Sequence, residues 1–252
     1  MIYFVGAGPG NVELITVKGA KLLGKADVII YAGSLVNKEL LTLAKEEAEI
    51  YDSASLTLAE VLEIMVEAVR NNKTVVRLHT GDPSLYGAIQ EQLDYLHSLG
   101  IATEVVPGVS SAFAAAASIQ RELTLPEVSQ TVIFTRVSGR TKVPEKESLI
   151  KLAGHQATMA IFLSVHQIEQ VVDQLLQGGY TPTTPVAVIE KASWPEERIV
   201  RGELQDIAEQ VKEAKITKTA MILVGDAVAS TNYALSKLYH PEFSHGFRRA
   251  KN

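Results

Sequence analysis

The chain has no cysteine in its 252 residues, which excludes disulfides, thiolate metal sites and a cysteine nucleophile. It has no run near the roughly 20 apolar residues that a membrane-spanning helix needs. Met1–Val5 is apolar without a basic leader and runs into a glycine turn, so it reads as a first strand and not as a signal peptide. A cytoplasmic location is the expectation. Excess positive charge is missing too: 24 Lys and Arg face 29 Asp and Glu, a formal net charge of −5. A nucleic-acid partner is therefore disfavoured. The six histidines, at 79, 97, 155, 166, 240 and 245, lack ligand spacing. No metal site and no tight Ser-His-Asp set is expected.

What is present is an alternation of short β-branched runs with helical patterns. Ile2–Val5, Val28–Tyr31, Thr74–Leu78 and Thr103–Val106 read as buried strands bounded by turn formers. Between them, Thr16–Gly24, Thr57–Asn71 and Ala88–Leu99 read as helices. Val61, Leu62, Met65, Val66 and Val69 recur at helical spacing. This pattern predicts an α/β fold with a mostly parallel N-terminal sheet, whose ligands bind at the carboxyl ends of strands.

The stretch Gln120–Glu147 is richer in polar, proline and basic residues, which places a domain boundary near 115–130. The expected division is 1–118 and 119–252. Strands follow at Thr131–Thr135, Thr158–Leu163, Val186–Glu190 and Ala220–Val224, with helices at Gln167–Gln177 and Leu204–Ala214. Lys191–Leu204 reads as a hairpin attached to this second sheet, which is expected to be mixed. A basic cluster of Arg136, Arg140, Lys142, Lys146 and Lys151 faces only Glu145 and Glu147.

Three turns stand directly after strands. Val5-Gly6-Ala7-Gly8-Pro9-Gly10 fails the G-x-G-x-x-G dinucleotide fingerprint, because Asn11 stands where the third glycine belongs and Pro9 removes an amide donor. It is either a tight strand-to-helix turn or a close approach of backbone to a ligand. Thr80-Gly81-Asp82-Pro83-Ser84-Leu85-Tyr86-Gly87 is a structural turn or a binding loop. In Pro107-Gly108-Val109-Ser110-Ser111 a serine either caps the helix Ala112–Ala117 or serves a ligand.

The wording and order of these turns, GAGPG then TGDPSLYG then PGVSS, resemble the tetrapyrrole methylase family of S-adenosylmethionine-dependent enzymes. Ala160–Ser164, Pro185–Ser193 and Thr219–Gly225 match as well, so the resemblance covers nearly the whole chain. It implies two α/β domains with a cofactor cleft between them and a homodimer. It further implies a cofactor set of Pro9, Thr80, Gly81, Asp82, Leu85, Ser110, Ser111, Leu163, Ala192, Thr219, Ala220 and Met221. Leu163 stands where related uroporphyrinogen enzymes carry methionine, and Ala192 where the family often has glycine.

Thr135–Glu145 and the tail Leu238–Arg248 are similar to the branch of the family that methylates carbon 11 of precorrin-4 or its cobalt form in cobalamin synthesis. Another corrin position, or uroporphyrinogen III, is the alternative. A dinucleotide oxidoreductase and a non-catalytic tetrapyrrole binder are the rivals from other classes.

An anionic tetrapyrrole needs basic groups at its rim. Arg136, Arg140 and Lys142 are the expected substrate-binding residues, with Arg121 second. The sulfonium is already an activated electrophile, so neither metal nor covalent nucleophile is required. A base to remove a proton after methylation leaves His79, Asp82 and Glu190 as candidates, with no one of them singled out.

Overall fold

The computed structural model describes residues 1–139, 141–236 and 240–250. The chain forms two compact units, the first built from Met1–Ala115 together with Lys191–Arg198. Its sheet comprises β1 (Ile2–Gly6), β2 (Val28–Tyr31), β3 (Glu49–Asp52), β4 (Val75–His79) and β5 (Thr103–Val106). Their order is β3-β2-β4-β1-β5, with every pair parallel. The helices are α1 (Val17–Leu23), α2 (Leu58–Arg70), α3 (Gln90–Ser98) and α4 (Ser111–Ser118).

Both faces of this sheet are covered, which is why its strands read as continuous apolar runs. On one face Ile2, Phe4, Val28, Ile30 and Val75 pack against Val61, Leu62, Met65 and Val66 of α2 and Leu96 of α3. On the other, Val5, Ile29, Val76, Leu78 and Val106 pack with Leu23 of α1. Each such side chain contributes about 1.5–3 kcal/mol on burial. Helix α2 starts at a capping box: Thr57 Oγ1 accepts from Glu60 N–H at 3.3 Å, and Glu60 Oε2 accepts from Thr57 N–H at 2.7 Å.

The second unit holds Ala116–Glu190 and the chain from Ile199 onward. Its strands are β6 (Val132–Thr135), β7 (Thr158–Ile161), β8 (Pro185–Glu190), β9 (Arg198–Glu203) and β10 (Ala220–Val224), in the order β6-β7-β10-β8-β9. β6 and β7 are parallel, whereas β10 runs antiparallel to both β7 and β8. Helices α5 (Leu149–Ala153), α6 (Ile168–Gln177) and α7 (Ile207–Glu213) complete it. Its core joins Met159, Ile161, Val186, Val188, Ile222 and Val224 of the sheet to Val171, Leu175, Ile207 and Val211 of the helices. No helix of the described residues is long and apolar enough to cross a membrane.

Two elements and one boundary depart from expectation. β3 is an exposed edge strand whose residues carry no apolar alternation. α5 is unexpected and begins just after the polar stretch Gln120–Glu147, with Leu149 and Ala153 as its buried residues. β7 stops at Ile161, short of Leu163, because Leu163 turns left-handed at φ 54°.

Candidate active site

β4, β1 and β5 are adjacent and parallel, so the turns that follow them share one edge of the first sheet. The turns meet through their backbones. Gly8 and Gly81 exchange both N–H···O bonds, at 3.3 and 2.8 Å, and Ala7 N–H donates to His79 O at 2.7 Å. A Cβ on Gly108 would lie 2.2 Å from Gly81 O and 2.8 Å from Gly6 Cα. No side chain fits at that junction. Gly81 itself is left-handed, at φ 60°, a conformation glycine adopts without steric cost.

Asp82 ties two of these turns together. Its Oδ1 accepts from Ser84 N–H at 2.8 Å within the loop, and its Oδ2 accepts from Gly108 N–H at 2.9 Å in the next turn. Ser110, buried, accepts from Ala112 N–H at 3.3 Å at the start of α4. Pro9 and Gly81 are buried, whereas Thr80, Asp82, Leu85 and Ser111 are half-buried at the same edge. Seven expected cofactor residues thus fall on three touching turns. The geometry is a rigid polar backbone rim with a floor too narrow for side chains.

An eighth arrives from far along the chain. β9 lies beside β8, as a hairpin on the second sheet requires, but its connecting stretch Lys191–Arg198 packs within the first unit, which departs from the expectation. Trp194 Nε1 donates to Pro9 O at 2.8 Å, and its indole lies over Gly10, where a Cβ would come within 2.0 Å of the ring. Ser193 Oγ accepts from Asn11 N–H at 3.0 Å. Ala192, buried and directly before Ser193 in sequence, is thereby carried to the first turn. Trp194 and Ser193 were missed by reasoning from sequence. The signal available was a lone tryptophan and a glycine in the turn that otherwise has no occupant.

The remaining cofactor positions lie in the second unit and share an edge for a different reason. Because β10 is antiparallel to β7 and β8, its beginning lies beside their ends: Ala220 pairs with Glu190, and Ile222 with Ile161. Thr219 and Ala220 therefore join the edge at which Leu163 follows β7. Leu163 is 61% exposed, while Met221 is buried in the strand.

Seven left-handed residues other than glycine stand at strand ends or connecting turns: Tyr86, Ala88, Glu127, Leu163, Lys191, Ser193 and Thr219. Four others, Asn72, Gln120, Gln156 and Lys215, close helices, where such backbone is routine. Strain of the first kind concentrates at functional sites.

The basic residues behave less simply. Arg136 Nη1 donates to Val137 O at 3.3 Å and Thr141 O at 3.0 Å, and Nη2 to Lys142 O at 3.2 Å, so this guanidinium folds its own loop. Arg121 Nη1 donates to Ser230 O at 3.0 Å. Lys142 is exposed. Arg140 lies outside the described residues.

Among the proton-transfer candidates, His79 is 4% exposed in β4 and stacks on Phe4 at 6.0 Å. Burial, and then the nearby Arg77 cation, hold its pKa down to about 3, so it is a neutral and weakly basic core residue at neutral pH. Asp82 already accepts two backbone N–H bonds. Glu190 ends β8. No cluster of three metal-ligating side chains occurs among the described residues.

Residues 1–208 match the family model of the tetrapyrrole (corrin/porphyrin) methylases. The chain is 59% identical over 249 residues to a cobalt-precorrin-4 C(11)-methyltransferase of Methanocaldococcus jannaschii, covering 99% of this chain and 96% of that protein. A solved cobalt-precorrin-4 methyltransferase of cobalamin biosynthesis superposes with a TM-score of 0.89 at 48% identity, covering 91% of this chain and 96% of that one. The uroporphyrin-III C-methyltransferase of Thermus thermophilus, solved with S-adenosylhomocysteine, superposes with a TM-score of 0.77 at 30% identity, covering 90% and 98%.

Proposed function

Because this chain belongs to the tetrapyrrole methylase family, we propose that it transfers a methyl group from S-adenosylmethionine to carbon 11 of precorrin-4 or cobalt-precorrin-4. The observation that carries this is 59% identity along 99% of the chain to an enzyme named for that reaction. The reaction belongs to cobalamin biosynthesis, and a homodimer is the proposed working form.

The three touching turns fit the cofactor as a rigid cradle. S-adenosylmethionine supplies an activated methyl on a positive sulfur. The protein's part is then placement, and placement in line at near contact contributes up to about 7–11 kcal/mol in ideal cases. Gly6 and Gly108 keep the floor free of side chains, and Gly81 supplies the left-handed turn. Asp82 clamps two rims by accepting from Ser84 and Gly108, which fixes where the backbone groups of Thr80, Gly81 and Leu85 point. Trp194 pins Pro9 from outside. Leu163, Ala192, Thr219, Ala220 and Met221 are proposed to complete the set. No protein base is assigned to the proton lost after methylation.

The direct test is to incubate the protein with S-adenosylmethionine and cobalt-precorrin-4 and assign the product by mass and NMR. One added methyl at carbon 11 is expected, and a methyl at any other carbon would overturn the assignment. Trp194, the sole tryptophan, offers a second reading. Titration with S-adenosylmethionine shifts its emission if the first turn borders the cofactor, and NADH leaves it unchanged.

A further inference from the structure

The C-terminal segment from His240 to Ala250 has a defined fold that none of the interactions above use. Arg248 Nη2 donates to His240 O at 2.7 Å and to Phe243 O at 3.4 Å, drawing the segment around one guanidinium. His245 and Arg248 exchange both backbone bonds, at 2.8 and 3.0 Å, around a two-residue turn of Gly246 and Phe247. His245 Nδ1 accepts from Phe247 N–H at 3.2 Å, His240 Nδ1 accepts from Glu242 N–H at 3.3 Å, and Ser244 Oγ accepts from Ala250 N–H at 2.9 Å. The rings of Phe243, His245 and Phe247 follow one another at 6.4 and 6.5 Å.

Phe247, at the tip, is fully exposed. A phenyl fixed in water on an ordered turn does nothing for folding, and hydrogen bonds that fix its position make sense if something lands on it. The charge beside it indicates what. Arg248 and Arg249 follow directly and the sequence continues to Lys251, against Glu242 alone within the segment. Arg249 is exposed and has no ion pair among the described residues. Rings flanked by cations recognise a flat, apolar-faced anion, which lies over the rings and pairs its carboxylates with guanidinium. Arg136 and Arg121, by contrast, donate to main-chain carbonyls.

We propose that His240–Ala250 is a substrate-recognition element that binds the polycarboxylate tetrapyrrole, with Phe247 against the macrocycle face and Arg249 on a peripheral carboxylate. The proposal rests on the tetrapyrrole reading of the function and adds residues to its recognition.

The test uses the full chain and its Phe247→Ala and Arg249→Ala variants, with cobalt-precorrin-4 as the probe in absorbance titrations. Each variant should weaken tetrapyrrole binding and raise its KM by about three- to tenfold. Cofactor Kd, kcat at saturation, melting temperature and sedimentation coefficient should stay at wild-type values, and Phe247→Trp should retain affinity. Tetrapyrrole affinity unchanged in both variants overturns the proposal. A changed sedimentation coefficient also overturns it, by assigning Phe247 to contact with a second copy of the chain. If wild-type protein fails to methylate carbon 11 yet its tetrapyrrole binding depends on Phe247, the function falls and the recognition element stands. If wild type methylates and the variants titrate identically, only the element falls.

Discussion

The two sheets place candidate residues at an edge by opposite means. In the first, all strands run the same way, so three carboxyl ends and their glycine turns coincide. In the second, β10 runs against its neighbours, so one strand's beginning meets two strands' ends. The consequence is chemical. The parallel edge is a backbone surface, closed to side chains at Gly6 and Gly108. The mixed edge presents side chains on left-handed backbone, at Leu163 and Thr219. The first edge should therefore fail when atoms are added, and the second should tolerate changes of backbone preference.

Adding one carbon to the parallel edge is the severest trial. Gly108→Ala sets a Cβ 2.2 Å from Gly81 O, and backbone on both sides leaves nothing flexible to yield. A loss of about 3 kcal/mol of stability is expected, together with loss of cofactor binding in calorimetry. In the second unit Gly139 has only the Gln167 amide within 4 Å, at 3.5 Å, so Gly139→Ala should change stability by less than about 0.5 kcal/mol. Equal losses would end the contrast.

Asp82→Ala comes next. It leaves Ser84 N–H and Gly108 N–H without their acceptor, at a cost of about 1–3 kcal/mol. Cofactor Kd should rise about tenfold or more while the second unit's melting is unmoved. Wild-type cofactor affinity in this variant would show that the clamp does not shape the cradle.

The first sheet also carries an acid-sensitive group. Folded His79 accepts a proton only near pH 3, against 6.5 for the free side chain. Between those values the unfolded chain binds the extra proton, so stability is full above pH 6.5 and falls as pH drops, by up to about 1.4 kcal/mol per unit. His79→Gln should flatten the slope of denaturation midpoint against pH.

Much of this was legible in the sequence because its physics is local. The apolar runs of β1, β2 and β4 and the Thr57–Glu60 cap declare themselves residue by residue. The three glycine turns were visible as turns, and family wording supplied their ligand. What stayed hidden depends on distant partners. Edge strand β3 has no apolar face to read. Nothing near Trp194 announces that its partner is Pro9, 185 residues away. Arg136 looked like a free cation, since charge is read from sequence and main-chain acceptors are not.

Leu163→Gly gives the smallest expected effect on stability and the finest test of the mixed edge. Leu163 holds φ 54°, which costs a side-chain-bearing residue about 1–2 kcal/mol. Glycine removes that strain, while its larger unfolded-state entropy returns about 0.4–1 kcal/mol. The exposed side chain contributes little burial, so net stability should shift by less than about 1 kcal/mol. Cofactor affinity should fall nonetheless if the isobutyl group touches the ligand, as proposed. Unchanged affinity would mean that this edge, like the first, offers only backbone, and the contrast between the sheets would reduce to strand direction.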